Sequence, residues 1–124
     1  MERYREIERT LLGRKITARI CFLDEGINVI LTGGDKSHIG AVSGRVPGQD
    51  PADLELPGHR EGVLAREWAG KLSKAWRTPV WVECGIHYEN LDKEGISRVL
   101  ETCGEMLEEI LDKGQKEDWY QQQV

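Results

Sequence analysis

Apolar and polar positions alternate along the first half of the chain with the period of a strand. Ile16, Ala18, Ile20 and Phe22 take every second place between Thr17, Arg19 and Cys21, as a half-buried strand requires. Asp24-Glu25-Gly26 supplies a short hairpin with a glycine for the turn, and Ile27, Val29 and Leu31 continue as the returning strand. Residues Tyr4 to Leu12 mix charge and apolar positions and are expected to precede these as a first strand, turned at Gly13-Arg14. Ile39 to Val46 is expected as a fourth, so the first forty-odd residues should form an antiparallel meander.

The period then changes. Pro47 to Pro57 holds three of the four prolines and reads as a loop, with an extended piece at Asp53 to Leu56. From Gly58-His59-Arg60-Glu61 onward, Leu64, Trp68, Leu72, Ala75 and Trp76 recur at three- and four-residue steps, the mark of an amphipathic helix. Arg77-Thr78-Pro79 ends it, because proline cannot continue the hydrogen-bond ladder. Val80, Val82, Cys84 and Ile86 alternate as another strand. Asn90 or Asp92 should cap a second helix striped by Ile96, Val99, Leu100, Cys103, Met106, Leu107, Ile110 and Leu111, with Gly114 as its stop. The tail after Gly114 is polar apart from Trp119, Tyr120 and Val124, and is expected to fray or to pack on a partner.

Strands followed by helices predict an α+β domain: an antiparallel five- to six-stranded sheet with two amphipathic helices on one face. One domain over 1–114 and a polar tail over 115–124 is the expected organisation. Two helices cover only one side of such a sheet. Cys21, Ile30 and Trp81 fall on the other side and are more apolar than a wet face needs, so a homodimer is expected.

Composition narrows the function. Over 124 residues the net charge is −5, which argues against non-specific binding to nucleic acid or an anionic membrane. No apolar run approaches the roughly 20 residues of a membrane span, and the first residues lack the apolar core of a secretory signal. Cys21, Cys84 and Cys103 are odd in number and form no CxxC, so they read as small apolar residues of a protein in the reducing cytoplasm.

Chemistry falls to three histidines, each at an element end beside a glycine: Gly34 to His38-Ile39-Gly40, Gly58-His59-Arg60, and Gly85-Ile86-His87. An element-end histidine often does no more than hydrogen-bond backbone. Convergence of the three would make either of two sites. One is a zinc or iron centre with Asp35 or Glu89 as a further ligand, although no HxH or HxxxH pair preorganises it. The other is an anion site, in which the amides of Gly33, Gly34 and Gly58 join Lys36, His38, His59, Arg60 and His87 around a phosphate. No nucleophile elbow, P-loop or GxGxxG accompanies them, so nothing in these residues spells out catalysis.

Three ordered segments, Thr32-Gly33-Gly34…His38-Ile39-Gly40-Ala41-Val42, Leu56-Pro57-Gly58-His59-Arg60-Glu61 and Gly85-Ile86-His87-Tyr88, resemble the small D-type subunit of gallate decarboxylase. The likeness runs from about Gly13 to Gly114. That family is described as prenylated-flavin chaperones with a fold like the proteasome-assembly chaperones. The resemblance implies a non-catalytic helper that handles prenylated FMN, or FMN, for the catalytic subunit of a UbiD-like decarboxylase. It places cofactor contacts at Gly33, Gly34, His38, Gly58, His59 and His87. Ser43-Gly44-Arg45 departs from it, standing where a more apolar strand is expected. A protein-only assembly chaperone or structural subunit, and a small histidine-metal enzyme, are the competing functions.

Overall fold

A computed structural model describes residues 3–57 and 61–120 of the chain. Six strands and two helices follow one another: β1 (Arg3–Leu11), β2 (Arg14–Phe22), β3 (Ile27–Gly34), β4 (Ala41–Arg45), β5 (Ala52–Glu55), α1 (Gly62–Trp76), β6 (Val80–His87) and α2 (Lys93–Lys116). The expected α+β architecture is present. The sheet order is β1-β2-β3-β6-β4-β5, and every neighbouring pair is antiparallel except β3 and β6.

That exception corrects the meander. The antiparallel run holds for β1, β2 and β3, but β4 does not pair with β3. β6 is inserted between them, parallel to β3 from Ile27↔Val80 to Gly34↔His87 and antiparallel to β4. Alternation specifies that a segment is a strand, yet both neighbours of an inserted strand meet the same alternation. Residues 35–40 must therefore cross the C-terminal end of β6 to reach β4.

The inner face of the sheet and the two helices enclose the core. Trp68 and Leu72 from α1, and Met106, Leu107 and Ile110 from α2, pack on Ile16, Ile20, Val29, Leu31 and Val82, all at most 1% exposed. The first turn between strands is made by Leu12 and Gly13, both left-handed, as a two-residue hairpin requires. Asp92 caps α2 by accepting from the Gly95 amide at 2.7 Å.

Two further expectations change at the C-terminal end. α2 does not stop at Gly114 but runs on to Lys116. Gly114 is instead a packing position, because a Cβ there would lie 2.2 Å from the Trp76 ring. The tail does not fray at Trp119 and Tyr120. These are 5% and 8% exposed and pack on Phe22, with ring centroids 6.3 and 6.2 Å away. The Tyr120 hydroxyl lies 2.8 Å from the Thr78 hydroxyl and accepts from the Gly26 amide at 3.3 Å, which ties the tail to two turns of the same chain.

Ser43-Gly44-Arg45, polar where an apolar strand is expected, has a local reason. Ser43 and Arg45 both donate to Asp53 on β5, while Gly44 makes room for the Trp81 ring, which a Cβ would meet at 2.0 Å. Opposed donors and acceptors thus join β4 to the short edge strand β5.

Candidate functional site

The crossing connection between β3 and β4 lies directly on β6, and three glycines make that possible. Gly34 takes φ +86°, and a Cβ there would lie 2.0 Å from the carbonyl oxygen of His87. A Cβ on Gly85 would lie 1.7 Å from the carbonyl oxygen of His38. Gly40 faces the carboxylate of Glu61, whose Oε2 a Cβ would meet at 2.3 Å. Backbone bonds then stitch the crossing down: the Asp35 amide donates to the His87 carbonyl at 2.6 Å, and the Gly40 amide to the Cys84 carbonyl at 2.8 Å.

This stitching brings two of the three histidines together. The rings of His38 and His87 are 6.2 Å apart, centroid to centroid, and nearly perpendicular at 83°. With Lys36 and Ile39 they line a cleft of about 210 Å³. Of the residues singled out in the sequence, Lys36, His38 and His87 share this cleft. Gly34 supports it from beneath through its contact with His87. Gly33 has a different duty, since a Cβ there would lie 2.7 Å from the backbone of Lys15 and Ile16, so it permits close approach of β2. Gly58, His59 and Arg60 lie outside the described residues.

Charges around the cleft are arranged with care. His38 Nε2 lies 2.9 Å from Glu61 Oε1, and the two side chains are 13% and 11% exposed. His87 Nε2 is 3.6 Å from Glu89 Oε1, in a much more open setting. Asp35 does not point at the histidines as a ligand would. It accepts from the Glu89 amide at 2.9 Å and from Arg14 Nε at 2.7 Å. The Glu89 amide and then the Arg14 hydrogen bond hold its carboxyl below the usual carboxylate range. Asp35 is therefore a clasp that ties the end of β3 to the end of β6. Among the described residues no group of three or more His, Cys, Asp or Glu side chains is placed to hold a metal ion.

Cys84 lies in the layer beneath the crossing, and burial raises its thiol far above the ordinary range, with Cys103 and Glu61 adding to the effect. Burial likewise pushes the Cys103 thiol up to about 12. Neither sulfur is ionised at neutral pH, so neither serves as a nucleophile. The apolar reading of these cysteines agrees with their place in the core.

Sequence reasoning did not single out Glu61 or Gly85 as members of this site. A signal for both was present: each stands close to a histidine in the segments that carry the glycines. What it lacked was the crossing, which alone brings position 61 onto position 38. A larger open groove of about 340 Å³, which Arg45, Lys74 and Arg77 help to line, involves none of the candidate cofactor or metal residues read from the sequence.

Comparison with known proteins agrees with this architecture. No curated protein matches the sequence. Among solved structures, a chain from the crystal structure of a novel chaperone complex for yeast 20S proteasome assembly has the same fold, with a TM-score of 0.54. It is 14% identical, and the alignment covers 87% of this chain and 98% of that chain. The model of the prenylated flavin chaperone LpdD-like domain matches residues 11–115, which take in five of the six strands and both helices. The chain belongs to the prenylated flavin chaperone LpdD-like family.

Proposed function

We propose that this protein is a non-catalytic helper that holds prenylated FMN, or FMN, by its phosphate and passes it to the catalytic subunit of a UbiD-like decarboxylase. The observation that carries the reading is the Lys36–His38–His87 cleft. Its volume of about 210 Å³ falls below the roughly 300–1,000 Å³ typical of pockets that enclose a whole small-molecule ligand. A phosphate fits such a space, and the flavin ring system does not. A carrier benefits from that division, since the part of the cofactor that the receiving enzyme must grip stays accessible. Lys36 supplies a point charge and His87 an N–H donor, and bonds to phosphate oxygens are charge-assisted. Gly58, His59 and Arg60 immediately precede Glu61 in the sequence, and we assign them the remaining phosphate contacts. Gly34 shapes the backbone around the same site.

The outer face of the sheet supports a protein partner as well. Ile30, Leu54 and Trp81 are 38%, 62% and 45% exposed on strands that pair side by side. In our reading this face seats a second copy of the chain, and the protein works as a homodimer in the cytoplasm. A purely protein-binding chaperone would use the same face without any flavin.

A titration that follows flavin fluorescence tests the cofactor, using wild type and Lys36→Ala, His38→Ala, His59→Ala and His87→Ala. Lys36→Ala, His59→Ala and His87→Ala are each expected to lose on the order of 1–3 kcal/mol of binding, the scale of a hydrogen bond to a charged group, and His38→Ala to weaken binding through the lost wall of the cleft. Unchanged affinity in all four, or no binding by wild type, removes the flavin and leaves the protein-only reading. Light scattering tests the dimer: twice the 14.1 kDa of one chain is expected, and a monomer throughout the micromolar range refutes it.

A further inference from the structure

We propose that Glu61 is the positioning residue of the cleft, clamping the His38 ring so that Lys36 and His87 are the side chains that contact the bound anion. The inference deepens the phosphate reading above and rests on it for the identity of the anion, though not for the clamp itself.

Glu61 stands at the N-cap of α1 with helical dihedrals, φ −76° and ψ −1°, and its side chain makes no capping bond. An acidic residue at that place ordinarily turns back to the free amides of its own helix, where the dipole also favours it. Here the carboxylate instead leaves the helix and crosses to the β3–β4 connection. A carboxylate only 11% exposed needs a partner, and His38 at 2.9 Å is one. The glycine at position 40 makes the space, since a Cβ would lie 2.3 Å from Oε2 and 2.6 Å from Cδ.

The second nitrogen of His38 is also engaged. Nδ1 lies 3.3 Å from the carbonyl oxygen of Lys36. A carboxylate and a carbonyl both accept, and a neutral imidazole has one N–H, so only a ring with protons on both nitrogens donates to both. With both nitrogens donating, the two contacts hold the ring plane, and with it the backbone of residues 36–39 across Gly85. His38 then presents its ring as a wall of the cleft while its nitrogens are taken by Glu61 and the Lys36 carbonyl. Lys36 and His87 flank that wall, and His87 is 45% exposed at its side chain, open enough to meet a ligand.

The test needs the clamp read separately from the ligand. Long-range proton–nitrogen NMR of the full chain without ligand reports the His38 ring, and titration with FMN reports the cleft. Glu61→Ala is expected to shift both His38 ring nitrogens and to weaken FMN by about tenfold, a change of about 1.4 kcal/mol. Glu61→Gln, which keeps the shape and an acceptor, should keep more of both signals. Gly40→Ala should reproduce the Glu61→Ala phenotype by displacing the carboxylate, and in the Glu61→Ala background it should add little, because the clash is gone. Should Glu61→Ala fail to fold, the Gly40→Ala spectrum carries the same test. Unmoved His38 nitrogens in Glu61→Ala or in Gly40→Ala overturn the clamp. Moved nitrogens in a protein that never binds FMN uphold the clamp and sink the flavin reading instead. Moved nitrogens with FMN affinity unchanged show that Glu61 orders His38 without serving the cleft, and the proposal falls.

Discussion

Along β6, Val80, Val82 and Cys84 face the helices at 1%, 0% and 0% exposure, while Trp81, Glu83, Gly85 and His87 alternate with them on the other side. The two sides answer to different demands. On the inner side, identity is set by volume: Trp68, Phe22, Leu107 and their neighbours fill one continuous interior. On the outer side, position is set by particular pairings. Asn28 donates to Glu83 at 2.8 Å, Arg19 pairs with Glu6 at 3.3 Å, and Trp81 lies over Gly44. The crossing connection joins that outer side at Gly85. A packed interior tolerates small losses by partial collapse, but a backbone resting on a glycine has nowhere to go. The inner face thus governs stability, and the outer face governs how the connections are seated.

The contrast is broken most forcefully from the inside. Leu107 is 1% exposed on α2, and Leu107→Ala should destabilise by roughly 2–5 kcal/mol through lost transfer energy and a residual cavity. Ile30→Ala on the outer face, from a side chain 38% exposed, should cost less than about 1 kcal/mol in the monomer. Chemical denaturation of the two variants side by side decides it; equal losses would mean that the outer face is covered as fully as the inner one.

Gly85→Ala comes next. Its Cβ would lie 1.7 Å from the His38 carbonyl oxygen, so the connection must lift, at about 1–3 kcal/mol by analogy with overpacked cores. Loss of FMN binding should exceed what the stability change explains. Wild-type binding by Gly85→Ala would show that the cleft does not depend on the crossing.

Smaller again is Tyr120→Phe. Removing the hydroxyl that meets Thr78 at 2.8 Å should lower stability by about 1 kcal/mol, the net scale of one buried hydrogen bond. A thermal midpoint equal to that of wild type would mean that the tail is held by ring packing on Phe22 alone.

The smallest effect is electrostatic and depends on pH. Asp35 is held below the ordinary carboxylate value of 3.8 by the Glu89 amide and then by Arg14. Because the folded chain favours the ionised form more than the unfolded chain does, this stabilisation is present above about pH 4 and is lost as pH falls through the lowered value. Asp53 follows the same direction: burial alone would raise it, but hydrogen bonds from Arg45 and Ser43 outweigh that. Asp35→Asn should therefore be less stable than wild type near neutrality, with the gap closing in acid. A gap that stays constant from about pH 7 to about pH 3 would exclude the ionised clasp.

Much of this molecule was legible in its residues. The period-two runs of β2, β3 and β6 and the stripes of α1 and α2 follow from burial on one face, which selects side chains locally and repeats with the backbone period. The Asp92 cap and the Arg77-Thr78-Pro79 stop are equally local, since a helix end is satisfied by residues within a turn of it. Even the glycine–histidine segments announced that backbone comes close to something there. What they did not contain was the partner. Alternation on β4 and β6 is the same whichever strands they adjoin, so only the packed sheet decided that β6 enters between β3 and β4. That insertion forces residues 35–40 over Gly85, sets His38 beside His87, and carries Glu61 to His38 across 23 positions of sequence. Gly114 and the Trp119-Tyr120 pair show the same division. A glycine near a helix end reads as a stop, and two aromatics in a polar tail read as exposed, until Trp76 and Phe22 arrive from distant elements to pack against them. Local chemistry determined the elements. The meeting of elements, a matter of excluded volume between residues far apart in the chain, determined the site.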